Sequence, residues 1–165
     1  MSRTPHFFLE KYNHEEGEWQ SLILYKRDSS GEMIETDFFP YNTSRDLFNL
    51  LEDSDSELRG IRVLKDIYEL GQQALNEISE WQEDRIDYLS LFDNNPSPVK
   101  TVDPPLVRVI TYADLLIYSL QKTETFDSNP VDFLIKRIET MLSVNDPWRW
   151  WEDERSDIRI AYWID

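Results

Sequence analysis

From Asp157 to Asp165 the side chains alternate, with Ile158, Ile160, Tyr162 and Ile164 on one side and Asp157, Arg159, Ala161, Trp163 and Asp165 on the other. A period of two over this length predicts a half-buried strand. So apolar a strand has to be tied into a sheet, at or next to its centre. Its expected partners come from the other end of the sequence. Phe7–Tyr12, Glu18–Arg27 and Glu32–Phe39 read as three strands joined by two polar turns. The second turn, Asp28-Ser29-Ser30-Gly31, places a glycine where a positive φ is useful. Two hairpins in succession predict a β-meander.

Helical spacing follows. Thr43-Ser44-Arg45-Asp46 has the form of a capping box, opening a short helix that carries Leu47, Phe48, Leu50 and Leu51. Between residues 61 and 86, Ile61, Leu64, Ile67, Tyr68, Gly71, Ala74, Leu75, Ile78, Trp81 and Arg85 form one helical stripe. Gly71 lies on that stripe, where glycine costs about 1 kcal/mol against alanine. That position predicts either a close approach to another element or a break into two helices. Asp93 to Pro98 and Pro104-Pro105 mark a loop, and Leu106–Ile110 a short apolar strand or extended segment. A second capping box, Thr111 to Asp114, opens a helix with Tyr112, Leu115, Leu116 and Ser119 on one side. Asn129 before Pro130 caps a further helix bearing Val131, Leu134, Ile135, Ile138, Met141 and Leu142, stopped by Asp146-Pro147. The prediction is α+β: one domain over residues 1–165, an antiparallel sheet from an N-terminal β-meander plus the C-terminal strand, packed against several helices.

Charge changes the picture more than composition does. The 33 acids outnumber the 17 bases, giving a formal net charge of −16. Such a surface repels nucleic acid and anionic membrane and steers toward a basic partner, although it also simply solvates the chain. The absence of cysteine excludes disulfides, thiolate catalysis and cysteine-ligated zinc. Neither a signal-peptide core nor an apolar run of about 20 residues is present, so a cytoplasmic protein is expected. In that compartment the sequon Asn42-Thr43-Ser44 has no use.

Motifs for chemistry are few. His6 and His14 are the two histidines, and a zinc site built on them would need carboxylates to complete it. Asp53-Ser54-Asp55-Ser56-Glu57 begins like a calcium loop, but Leu58 stands where that loop needs glycine. No G-x-S-x-G and no glycine-rich phosphate loop occurs. Neither a metal, a cofactor nor a catalytic residue is therefore expected, and the protein is read as a non-enzyme. Two features suggest binding instead. Between Asp66 and Asp93 stand eight acids and one base, Arg85. On a helix, Asp66 to Asp87 would span about 30 Å, with Glu77, Glu80, Glu83, Asp84 and Asp87 as the candidate contact residues. The second is the cluster Trp148, Trp150 and Trp151, flanked by acids. It reads either as rings covering one end of the core or as the centre of an interface, where tryptophan is enriched.

Gly17-Glu18-Trp19, the run Ser44-Arg45-Asp46-Leu47-Phe48-Asn49-Leu50-Leu51 and the terminal Asp157–Asp165 strand together resemble a loose group of small, uncharacterised phage and prophage proteins. That group shares an N-terminal strand with Gly-x-Trp, an Arg-x-x-x-Leu-Phe-type helix and a closing aromatic strand ending in Asp. Arg45 stands closer to Phe48 than its pattern has it, and the acidic segment has no counterpart there. The resemblance implies a viral or mobile-element setting. With the acidity and the absent motifs, it leads to the expectation of an inhibitor of anti-CRISPR, anti-restriction or nuclease-immunity type. Its target would be a basic nucleic-acid-handling protein, such as a nuclease or CRISPR effector, bound without contact to nucleic acid or membrane. Two alternatives stay open: a structural or adaptor protein forming a homo-oligomer through its tryptophans, and an enzyme using carboxylates at an unrecognised site.

Overall fold

The structure, a computed structural model, describes residues 4–38, 45–53, 57–92, 101–122, 129–145 and 155–165. In chain order the elements are β1 (Pro5–Asn13), β2 (Glu18–Ser21), β3 (Leu24–Arg27), β4 (Met33–Thr36), α1 (Arg45–Glu52), β5 (Arg62–Val63), a 3-10 turn (Ile67–Glu69), α2 (Gln72–Phe92), β6 (Arg108–Thr111), α3 (Tyr112–Lys122), α4 (Pro130–Asn145), a second 3-10 turn (Arg155–Asp157) and β7 (Ile158–Ile164). The fold is α+β. Five strands make an antiparallel sheet in the order β2-β1-β7-β6-β5, while β3 and β4 form a separate hairpin.

β7 is the central strand, as its apolarity predicts. Phe7 and Leu9 of β1 stand opposite Tyr162 and Ile160, and Ile110 of β6 faces Ile160 from the other side. The expected half-buried strand is, however, covered on both faces. Ile158, Ile160 and Tyr162 join the larger core with α1, α3 and α4, through side chains such as Leu51, Leu115 and Leu134. Ala161 and Trp163 join a smaller core under α2, with Leu70, Ala74 and Ile78. The alternation is real, but the second side meets a helix rather than water. The small Ala161 lets α2 come close, and the polar Arg159 is paired within the interior.

The N-terminal run departs from a continuous meander. Glu18–Arg27 is not one strand. β2 follows β1 as far as a bond from the Leu22 N–H to the Leu9 carbonyl at 3.0 Å, and then the chain swings out through an exposed Ile23. Leu22-Ile23-Leu24 is apolar at every position, so it lacks the polar face that would hold it flat on a two-sided sheet. The turn lets Leu24 bury itself in the larger core, and β3 packs on α4. At the β3–β4 turn Asp28 accepts from the Ser30 N–H at 2.9 Å and the Glu32 N–H at 3.0 Å, and Gly31 takes the positive φ of 88°.

Of the predicted caps, two are present. Thr111 Oγ1 accepts the Asp114 N–H at 3.2 Å and donates to Asp114 Oδ2 at 3.0 Å. Asn129 Oδ1 accepts the Val131 N–H at 2.9 Å, opening α4, whose predicted stripe from Val131 to Leu142 is buried. Thr43, Ser44, Asp146 and Pro147, assigned to the start of α1 and the end of α4, lie outside the described residues. So do Ser54, Asp55 and Ser56 of the calcium-like run. The long helical stripe is interrupted: Arg62 and Val63 pair with β6, and α2 starts only at Gln72. Tyr68, placed on the apolar stripe by its spacing, is 79% exposed. No helix among the described residues is long and apolar enough to cross a membrane.

Candidate functional site: the acidic face of α2 and the polar centre that seats it

Two charged residues stand inside apolar strands. Glu10 on β1 and Arg159 on β7 are register partners, and both are buried. Arg159 donates to Glu10 Oε1 from Nε at 2.9 Å and from Nη2 at 2.8 Å. Its Nη2 also donates to the Glu69 carbonyl at 2.9 Å. The Trp19 indole covers the guanidinium, 4.2 Å from its ring centre, a cation–π arrangement favoured by desolvation. The second Glu10 oxygen accepts the Gly71 N–H at 2.6 Å.

That last bond fixes α2. Gly71 stands at the helix N-terminus and has no side chain with which to cap it. Ser21 of β2 does so from outside, its Oγ accepting the Gln73 N–H at 3.0 Å. Glu10 adds a carboxylate beside the positive end of the helix. Two orphan donors of the first turn are thus satisfied by two different strands. Gly71 turns out to mark both a break and a close approach. Burial pushes the Glu10 carboxyl above the usual carboxylate value, with the Arg159 charge and the Gly71 N–H pulling the other way. Burial likewise lowers Arg159 from the usual guanidinium value, against the pull of Glu10.

So anchored, α2 buries Ala74 and Ile78 and turns its other side outward. Glu80, Glu83, Asp84 and Asp87 are exposed, and Glu77 is half-buried. Glu80, Asp84 and Asp87 follow i, i+4, i+7 and project together, with Glu83 beside them. Arg85, the one base of the segment, lies over the Trp81 ring at 5.1 Å, and among the described residues it makes no ion pair with these acids. The acidic row is shorter than the spacing predicts. Asp66 caps the 3-10 turn by accepting the Tyr68 N–H at 2.9 Å, and Glu69 lies within that turn. Both precede the helix, so the row runs from Glu77 to Asp87, about 15 Å at the α-helical rise.

Glu77 has a second engagement. Its Oε1 lies 3.3 Å from His6 Nδ1, and His6 Nε2 lies 2.9 Å from Asp165 Oδ2. The His6 ring stacks on Trp163 with centres 4.8 Å apart. Trp81 Nε1 donates to Asp165 Oδ1 at 2.8 Å. His14, just past the opposite end of β1, contacts Asp157 Oδ2 at 2.6 Å. The two histidines thus tie strand ends together, and among the described residues no group of three His, Asp or Glu side chains is arranged to hold a metal. Trp148, Trp150 and Trp151, the other predicted contact residues, lie outside the described residues.

Sequence reasoning passed over Glu10 and Arg159. The signal was clearest for Arg159, which interrupts the otherwise apolar strand Ile158–Ile164, and buried charges occur in partnered sets. A cleft of about 430 Å³ opens beside the pair, lined by Tyr12, Trp19, Arg62, Tyr68 and Glu69. It offers aromatic faces and one exposed guanidinium. At its base Arg159 engages Glu10 and the Glu69 carbonyl through Nε and Nη2. No family model, no curated protein and no solved structure matches this chain.

Proposed function

We propose that this protein acts by binding, its α2 carboxylates docking on a basic surface that a nucleic-acid-handling protein uses for phosphates, and so inhibiting that protein. The observation that carries this reading is the solvent-facing group Glu80, Glu83, Asp84 and Asp87, which no base neutralises among the described residues. Like charges three and four residues apart weaken a helix slightly, so folding alone gives no reason for them. This group spans about 10 Å at the α-helical rise, matching roughly three phosphates along one strand at an axial rise of about 3.4 Å each. The net charge of −16 adds a long-range pull on a basic partner. The buried cap holds the row in a fixed orientation before any encounter, which limits the ordering cost of binding. A phage or prophage setting, implied by the resemblance, is one in which an inhibitor of a host nuclease or effector would act.

The test is capture from a lysate of the native host at low ionic strength, with the unmodified chain and with Glu80→Lys, Glu83→Lys and Asp84→Lys combined. Nucleic-acid-binding proteins should be retained, released by salt and displaced by duplex DNA, and the triple variant should retain none of them. Retention that survives both the triple reversal and high salt removes the reading. Glu77 is left unchanged in this variant because its contact with His6 serves the fold.

A further inference from the structure

On the side of β1 away from β7, the first half of the strand has no ladder partner among the described residues. Its β7 ladder runs from Pro5 to Lys11, whereas its β2 ladder begins at Glu10 and is prolonged by the single Leu22-to-Leu9 bond. The Thr4 carbonyl accepts the Asp165 N–H at 2.9 Å. In an antiparallel ladder this sets the parity: Thr4, His6 and Phe8 turn their backbone groups to β7, and Pro5, Phe7 and Leu9 turn theirs away. The Phe7 N–H and C=O therefore point outward and have no partner among the described residues. Phe7 is only 4% exposed, and backbone groups so placed are costly to leave unpaired.

The chain segment that would have covered this edge is the one that swings away at Ile23. A groove of about 250 Å³ remains. Leu22, Leu24 and Phe38 form one wall, and Gln73 and Glu77 of α2 form the other. Each side carries a carboxylate, Asp37 on the first and Glu77, which also contacts His6, on the second.

We propose that this groove receives an extended segment of a basic partner, which adds a strand to the outer edge of β1 at Phe7. An apolar side chain of that segment sits between Leu22, Leu24 and Phe38, and its Lys or Arg neighbours reach Asp37 and Glu77. Backbone pairing at an open edge supplies affinity, and pockets for alternate side chains supply selectivity. The proposal deepens the function given above and takes from it the basic character of the partner. A second copy of this chain is a poor occupant, because two chains of net charge −16 would meet across acidic rims.

The experiment uses the full chain and a library of random decapeptides displayed on phage, selected at low ionic strength. Enriched peptides should alternate apolar residues with Lys or Arg. The best of them, made synthetically, should slow hydrogen exchange at the Phe7 amide. Its affinity should fall at least tenfold when the peptide nitrogens facing β1 are methylated, and also with the exposed Asp37→Lys. The combined α2 reversal at Glu80, Glu83 and Asp84 should leave Phe7 protection in place, which separates this site from the α2 face. No enrichment over a blank support overturns the proposal, as do selected peptides that leave Phe7 exchange unchanged. Protection that grows with protein concentration without any peptide assigns the edge to self-association and overturns it too. Peptide binding lost only in the α2 reversal refutes the groove while leaving the α2 reading standing.

Discussion

Replacing Gly71 with alanine adds one methyl group where α2 meets β1 and β2. The new Cβ falls well inside contact distance of the Ser21 nitrogen and Oγ, and 2.9 Å from Glu10 Oε2. A hydroxyl can turn aside, but the Ser21 nitrogen is backbone, held in the ladder opposite Glu10. The helix has to retreat instead. Retreat stretches the Gly71–Glu10 bond of 2.6 Å and the Gln73–Ser21 bond of 3.0 Å. Losing the Ser21 cap costs about 1 kcal/mol, and losing a hydrogen bond to a charged group about 1.5–3 kcal/mol. Forcing a methyl group into a packed site costs about 1–3 kcal/mol more. Alanine returns about 0.4–1 kcal/mol by restricting the unfolded chain. The net expectation is a loss of about 3–6 kcal/mol, a large part of the 5–15 kcal/mol typical of a domain. Gly31→Ala is the control: nothing lies within 4 Å of its added Cβ, and only its φ of +88° is unfavourable, worth about 1–2 kcal/mol. Urea unfolding followed by circular dichroism measures both. A Gly71→Ala variant as stable as Gly31→Ala would refute the cross-strand cap and the close approach of α2 on which it rests.

Two further outcomes are expected. Arg159→Met leaves the Glu10 carboxylate buried without its partner, at a cost of about 3–5 kcal/mol near neutral pH. Burial already raises Glu10 above its unfolded value, so between the two values the folded chain binds more protons than the unfolded one. The contribution of this group is then full at low pH and is lost as pH rises through the folded value. The penalty of Arg159→Met, read by urea unfolding, should accordingly be smaller at pH 5 than at pH 8, and equal penalties would contradict the pairing. Deleting Ile158–Asp165 removes the central strand and several large buried side chains at about 1.5–3 kcal/mol each; unchanged circular dichroism after that deletion would disprove the sheet order.

Much of the fold is written in local patterns. The period-two run from Asp157 to Asp165 gives β7, and the Thr111 and Asn129 caps fix where α3 and α4 begin. What local patterns hide is tertiary. Arg62 and Val63 have a helical neighbourhood but pair with β6, because a free sheet edge was available to them. The break at Leu22–Ile23 depends on α4 offering Leu24 a place to bury. Neither face of β7 is solvated, and only the arrival of α2 decides that. For the candidate site, the acids of α2 were legible one by one, whereas the length of their row depended on where the helix starts. That start is set by Glu10 and Ser21, which lie far away in sequence.

The position of β7 also governs how the chain acquires its structure. Glu10 and Arg159 are 149 positions apart in sequence, yet they close the middle of the sheet. Pairings of such separation raise the contact order and slow folding. During synthesis β1 and β6 have no bridge between them until residues 158–164 have emerged. At about 5–20 residues per second, the interval between the end of β6 and the end of β7 lasts about 3–10 s. Over that time an apolar hairpin and an uncovered α2 are open to chaperones, proteases and other nascent chains. Faster translation of the segment from α3 to β7 should shorten that exposure and raise the yield of native protein.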